Sequence, residues 1–128
     1  MELIVAYIDW IMLVSGLLTT TMIFAAIAPK AALRSNFGET LEGPLAEAIV
    51  RNWGALIALV GAMLIYGAYH AEVRPLVLAV GIVSKLFFIA LVVSQGGRWL
   101  RHGAGVAVVV DLIMVALFAA YLVATRGP

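Results

Sequence analysis

The sequence predicts an all-α polytopic membrane protein, four transmembrane helices in an antiparallel bundle. Three observations carry this reading. Of the 128 residues, 65% are hydrophobic and 12% are charged, against about 45–50% and 25% in soluble domains. The mean hydropathy is +1.13, which suits a chain whose outer surface also meets lipid. The apolar residues fall into four runs, over residues 3–28, 44–70, 75–95 and 103–125, and each reaches the ~20 residues that cross a bilayer. No repeat or linker separates them, so a single domain is expected over residues 1–128.

The first run is interrupted only by Asp9 and closes at Pro29-Lys30, where proline ends the helix and lysine can reach the headgroups. Met1-Glu2-Leu3 lacks the basic region of a cleavable signal, so this run is expected to stay as a membrane helix. Asp9, Gly16 and Thr20 share a helical stripe of small and polar residues, a kind that faces protein rather than lipid. From Ala31 to Gly43 the chain turns polar, and part of this connection is expected to form a short interfacial helix.

The second helix starts at Gly43-Pro44, with proline at the first helical position, and Trp53 is its interface anchor. Glu47 and Arg51 stand four apart in the order that favours pairing. Asn52, Leu59 and Tyr66 then recur every seven residues, with His70 one turn beyond Tyr66. Gly54, Ala58, Gly61 and Ala62 permit close helix approach. A tight Ala71–Arg74 connection leads to the third helix, whose one side carries Gly81, Lys85, Phe88, Val92 and Gln95. Gly96-Gly97 stops it. The Arg98, Trp99, Arg101 and His102 connection follows, and the fourth helix carries Asp111.

Lys85 organises the functional reading. An ammonium group in mid-membrane costs at least ~2.5 kcal/mol, so another group must answer it. The available acids inside apolar runs are Asp9 and Asp111. At 1.5 Å per residue, Asp9 lies about 9 Å and Lys85 roughly 16 Å from the outer ends of their helices. The lysine stem leans toward its own N-terminus, which favours Asp9. Asp111 lies about 10 Å from the opposite end, nearer Asn52 and Gln95. The expected intramembrane polar set is therefore Lys85, Asp9, Asp111, Tyr66, Asn52, Thr20 and Gln95.

Charge sets the orientation. Lys30, Arg34, Arg51, Arg98 and Arg101 flank the first and third connections, against Arg74 and Arg126 at the other end. The positive-inside rule puts those connections in the cytoplasm and both termini outside.

Composition excludes several classes. With 0 cysteines there is no thiolate metal site or thiol redox centre. A net charge of +1 gives no footprint for nucleic acid. His70 and His102 fall on opposite sides of the membrane, so they cannot form a bis-His haem site within one chain. No metal, no cofactor and no catalytic residue is expected. The remaining function is binding or passing a small lipophilic or anionic ligand beside Lys85. A thin bundle of this length favours a homo-oligomer or a membrane protein partner. Two alternatives stand beside it: a non-catalytic membrane subunit or scaffold of a larger complex, and a membrane-embedded enzyme acting on a lipophilic substrate.

The layout of Arg51-Asn52-Trp53-Gly54, Gly61-Ala62-Met63-Leu64-Ile65-Tyr66-Gly67-Ala68 and Ser84-Lys85-Leu86 resembles small bacterial four-helix membrane proteins of DoxX-like type. The resemblance covers the second and third helices. It implies a multi-pass protein of the bacterial inner membrane and assigns no activity.

Overall fold

A computed structural model describes residues 2–94, 96–97 and 99–125. All regular secondary structure among them is helical: α1 (Glu2–Ala6), α2 (Ile8–Thr20), α3 (Ile23–Ile27), α4 (Pro29–Phe37), α5 (Pro44–Tyr69), α6 (Arg74–Val93) and α7 (Gly103–Thr125), with a 3-10 turn at Ala71–Val73. Four stretches are long and apolar enough to cross a membrane: Ile8–Ile27, Pro44–Tyr69, Ala71–Val93 and Gly103–Thr125. The second and fourth match the sequence-based bounds within a residue.

The first run differs from the continuous helix expected. It bends off at Tyr7, between α1 and α2, and tightens again between α2 and α3. There the amides of Thr21 and Met22 bond to the carbonyls three residues back, Leu18 and Thr19. The cause is local. The hydroxyls of Thr19, Thr20 and Thr21 donate to the carbonyls of Ser15, Gly16 and Leu18, competing with the backbone for the same acceptors.

The close pairing of α2 and α3 with α5 rests on glycine. A Cβ on Gly16 would stand 2.7 Å from the Gly61 carbonyl oxygen, and one on Gly54 would stand 2.7 Å from the Met22 carbonyl oxygen. Of the small residues read from the sequence, Gly54, Ala58 and Gly61 are buried in this contact, whereas Ala62 is exposed. The α5 terminus is capped by Arg74, whose Nε and Nη2 each donate over 3.1 Å, to the Gly67 and Ala68 carbonyls. These carbonyls are among the last four of the helix, which have no partner within it.

The apolar core is divided. One cluster, built on Met12, Leu64, Leu78 and Phe118, lies toward the chain termini. Two smaller clusters lie at the opposite end: Ala25, Ala32, Leu33 and Val50, and Val92, Ala104 and Val108. Phe37 packs against both of the smaller ones. Its ring centroid is 6.0 Å from that of Trp53 and 5.0 Å from that of Trp99. Trp99 Nε1 in turn donates to Glu39 Oε2 over 2.9 Å. The first and third connections therefore lie together.

The first connection is more ordered than a loop. Ala32 and Leu33 of α4 are buried under α3 and α5. The predicted Glu47–Arg51 pair does not form. Glu47 lies 3.9 Å from Lys30, which also reaches Glu42 at 3.2 Å, and Arg51 donates to the Ala26 carbonyl. The α3 carbonyls need a donor where the helix ends at Ala28, and a guanidinium on the adjacent α5 supplies it.

Large apolar side chains cover the outside on every long helix, among them Leu17, Ile49, Leu76, Phe87 and Ile113, each more than half exposed. An apolar shell this extensive exceeds what a water-facing surface carries.

Candidate functional site

Lys85 sits on the buried face of α6 with Leu78, Gly81 and Val92, and is 6% exposed. Its Nζ donates to Asp111 Oδ1 over 2.9 Å and to Thr19 Oγ1 over 3.1 Å. Thr19 is buried on the α2 face that also holds Ile8, Met12, Ser15 and Gly16. Its hydroxyl proton is directed to the Ser15 carbonyl at 2.7 Å, which leaves an oxygen lone pair for the ammonium. The Asp111 side chain, on α7, is 16% exposed.

The acid that answers Lys85 is thus Asp111, which corrects the preference for Asp9. Asp9 is exposed at the second residue of α2. It lies ten residues, about 15 Å, from the level of Thr19 and so of Lys85. The run does not continue as one helix from Leu3: α1 is set off at Tyr7, so Asp9 lies close to the start of the long apolar stretch Ile8–Ile27. Lys85 is eight residues before the end of α6 and Asp111 eight residues after the start of α7. Both therefore stand about 12 Å from the connection they share.

The pair borders a cavity of about 460 Å³ between the α2–α3–α5 side and the α6–α7 side. Its walls are apolar, with Met22, Ile57, Phe88, Val110 and Met114 among them, while Thr19, Ser84, Lys85 and Asp111 form a polar patch. Asn36, Trp53 and Gly103 line it toward the connections, where Phe37 bridges the two sides. Contacts of α1 with α7 and of α4 with α7 tie the halves at the two ends. Four lining residues, Leu18, Phe87, Leu91 and Val106, are half or more exposed on the outer surface. The cavity is thus flanked by the apolar exterior of the helices.

The other expected polar residues lie elsewhere. Thr20 is half-buried, bonds to Gly16 and packs against Gly61. Asn52 is exposed. Tyr66 is exposed and stacks on His70 at 3.9 Å, with His70 Nδ1 2.9 Å from the Tyr66 carbonyl oxygen. Gln95 lies outside the described residues. Thr19 and Ser84 line the cavity although neither belongs to the polar set expected from the sequence. The signal for Thr19 was the spacing of Ile8, Met12, Ser15 and Thr19, a helical stripe one residue out of phase with the one chosen.

Chemically, the site is a charge-neutral pair with capacity left over. An ammonium has three donors and a carboxylate two acceptor oxygens. Lys85 uses two donors, and Asp111 Oδ2 has no partner among the described residues. No protein-family model, curated protein or solved structure matches this chain, and nothing in those comparisons bears on the DoxX-like resemblance.

Proposed function

We propose that this chain is a membrane protein whose four long helices form an antiparallel bundle, and that it binds a small lipophilic ligand in the cleft beside Lys85 and Asp111. The observation that carries the proposal is the cavity. Its 460 Å³ falls within the roughly 300–1,000 Å³ of small-molecule sites, and its apolar walls with few polar groups match their usual make-up. A buried ion pair that only fixed helix packing would not need a cavity beside it.

The first test fills the cavity. Ala107 lines it from α7 and is half-buried, so Ala107→Trp projects an indole into it, one helical turn from Asp111. Native mass spectrometry of the nanodisc-embedded protein is expected to find a bound lipophile on the wild type. That molecule should be lost from the variant while the circular dichroism spectra coincide. Identical bound species on both proteins would refute the cavity as the site, and capture of the same membrane partner by both would favour the scaffold reading.

Membrane topology is tested separately. Ser35 and Glu72 are both exposed, at opposite ends of the long helices, and the absence of cysteine gives a clean background. Single cysteines at the two positions should label from opposite sides of intact cells, with Glu72→Cys reached from outside. Labelling of both from one side would exclude four spans, and the reverse pattern would invert the orientation.

A further inference from the structure

The chemistry of the polar patch narrows the ligand, on the reading that the cavity binds one. We infer that the site takes a neutral amphiphile with a single hydrogen-bonding head that both donates and accepts, a long-chain alcohol or its chemical equivalent, admitted sideways from the lipid.

Charge is the first argument. A free lysine in an apolar cavity would select an anion, since an isolated buried charge is costly and a counter-charge relieves it. Here that role is filled within the protein, because Asp111 Oδ1 lies 2.9 Å from Lys85 Nζ. A carboxylate or phosphate head would meet the ammonium and the Asp111 carboxylate together. It would gain little net attraction while losing its hydration. A cationic head meets the same objection with the signs exchanged.

Hydrogen bonding is the second. Lys85 Nζ has one donor beyond those given to Asp111 and Thr19, and Asp111 Oδ2 has no partner among the described residues. Both residues line the cavity. A hydroxyl fits this pairing, accepting from the ammonium and donating to the carboxylate. A carbonyl or ester uses only the ammonium, and an alkane uses neither. The protein leaves one donor and one acceptor within a few ångströms of each other, which is what an alcohol brings in reverse.

The walls supply the third argument. Away from the polar patch, Leu18, Phe87, Leu91 and Val106 both line the cavity and stand exposed on the apolar outer surface. A tail in the cavity is therefore continuous with the surrounding lipid, and the head need not cross an aqueous phase to arrive. At the connection end the cavity is lined by Trp53, against which Phe37 is set.

The test uses the full-length protein in nanodiscs and a long-chain alcohol with a photoactivatable diazirine on its tail. Labelling should concentrate on cavity residues such as Phe88, Val110 and Met114 rather than on the outward-facing Ile49 and Ile113. Unlabelled alcohol of the same length should compete about tenfold better than the matching alkane, as a hydrogen bond to a charged group implies. It should also compete better than the matching fatty acid at neutral pH and the methyl ester. Single substitutions at the pair risk unfolding the protein. The double variant Lys85→Met/Asp111→Leu keeps the cavity apolar and leaves no stranded charge, and in it alcohol and alkane should compete equally. Preferential competition by the fatty acid would overturn the neutral-head inference while leaving a ligand site in place. Equal competition by alkane and alcohol in the wild type would do the same. Labelling spread evenly over the lipid-facing surface, with no competition by any compound, would overturn the binding site itself.

Discussion

Replacing Lys85 by methionine, or Asp111 by leucine, is expected to destabilise the protein in detergent by about 3–5 kcal/mol, and the two together by much less. Each single change leaves the other charge buried, Lys85 at 6% exposure or Asp111 at 16% for its side chain, with no counter-charge within reach. The double change puts apolar groups of similar volume in both places. The measurement is a double-mutant cycle from denaturant titration in mixed micelles, followed by circular dichroism. Strong recovery in the double mutant is the expected result, because the ammonium and carboxylate are 2.9 Å apart. Asp9→Asn is the control. Asp9 is exposed and far from Lys85, so its effect should stay within about 0.5 kcal/mol and add to that of Lys85→Met. Thr19→Val should fall between them, losing one hydrogen bond of about 1.5–3 kcal/mol to a charged group. Additive behaviour of Lys85 and Asp111 would mean that the pair does not hold in the folded protein.

Gly61→Ala should lower stability by about 1–3 kcal/mol, although helix propensity alone would raise it by about 1 kcal/mol. The sign therefore reports the packing. A Cβ at Gly61 would stand 2.5 Å from the Thr20 amide nitrogen and 2.8 Å from the Gly16 carbonyl oxygen. Both are backbone atoms, so α2 and α5 would have to separate as whole helices. Gly54→Ala meets Met22 and Ala26 backbone atoms in the same way and should behave alike. A larger side chain at either position, as in Gly61→Leu, is expected to prevent stable folding. Gly97→Ala, where nothing lies within 4 Å, should leave the melting temperature unchanged. A stabilising Gly61→Ala would show that the two helices are not held at contact distance. Because Thr19 lies on the same buried face of α2 as Gly16, the Gly16–Gly61 contact also sets where Thr19 meets Lys85. Gly61→Ala should for that reason weaken competition by the alcohol in the photolabelling experiment.

The sequence alone determined the number of long helices and most of their bounds. Twenty or so apolar residues between Gly-Pro, Gly-Gly and charged breaks admit little else, and Pro44 and Gly103 mark real helix starts. It also determined that Lys85 would not stand alone, since the cost of a lone buried charge is large whatever the neighbours. Which acid answers it, which threonine assists and where the cavity lies were decided by tertiary structure. The reason is that a helix whose outward-facing side is as apolar as its buried side shows little periodicity. Its rotation cannot be read from polarity alone, and a one-residue error in phase exchanges Thr19 for Thr20. Depth was closer to legible, because Lys85 and Asp111 are each eight residues from the connection they share. Counting from the chain's start instead missed the turn at Tyr7, a break with no proline or glycine to announce it. The cavity is the least local property of all. It lies between two junctions of the α2–α3–α5 side with the α6–α7 side: the Met12, Leu64, Leu78 and Phe118 cluster toward the termini, and Phe37 at the other end.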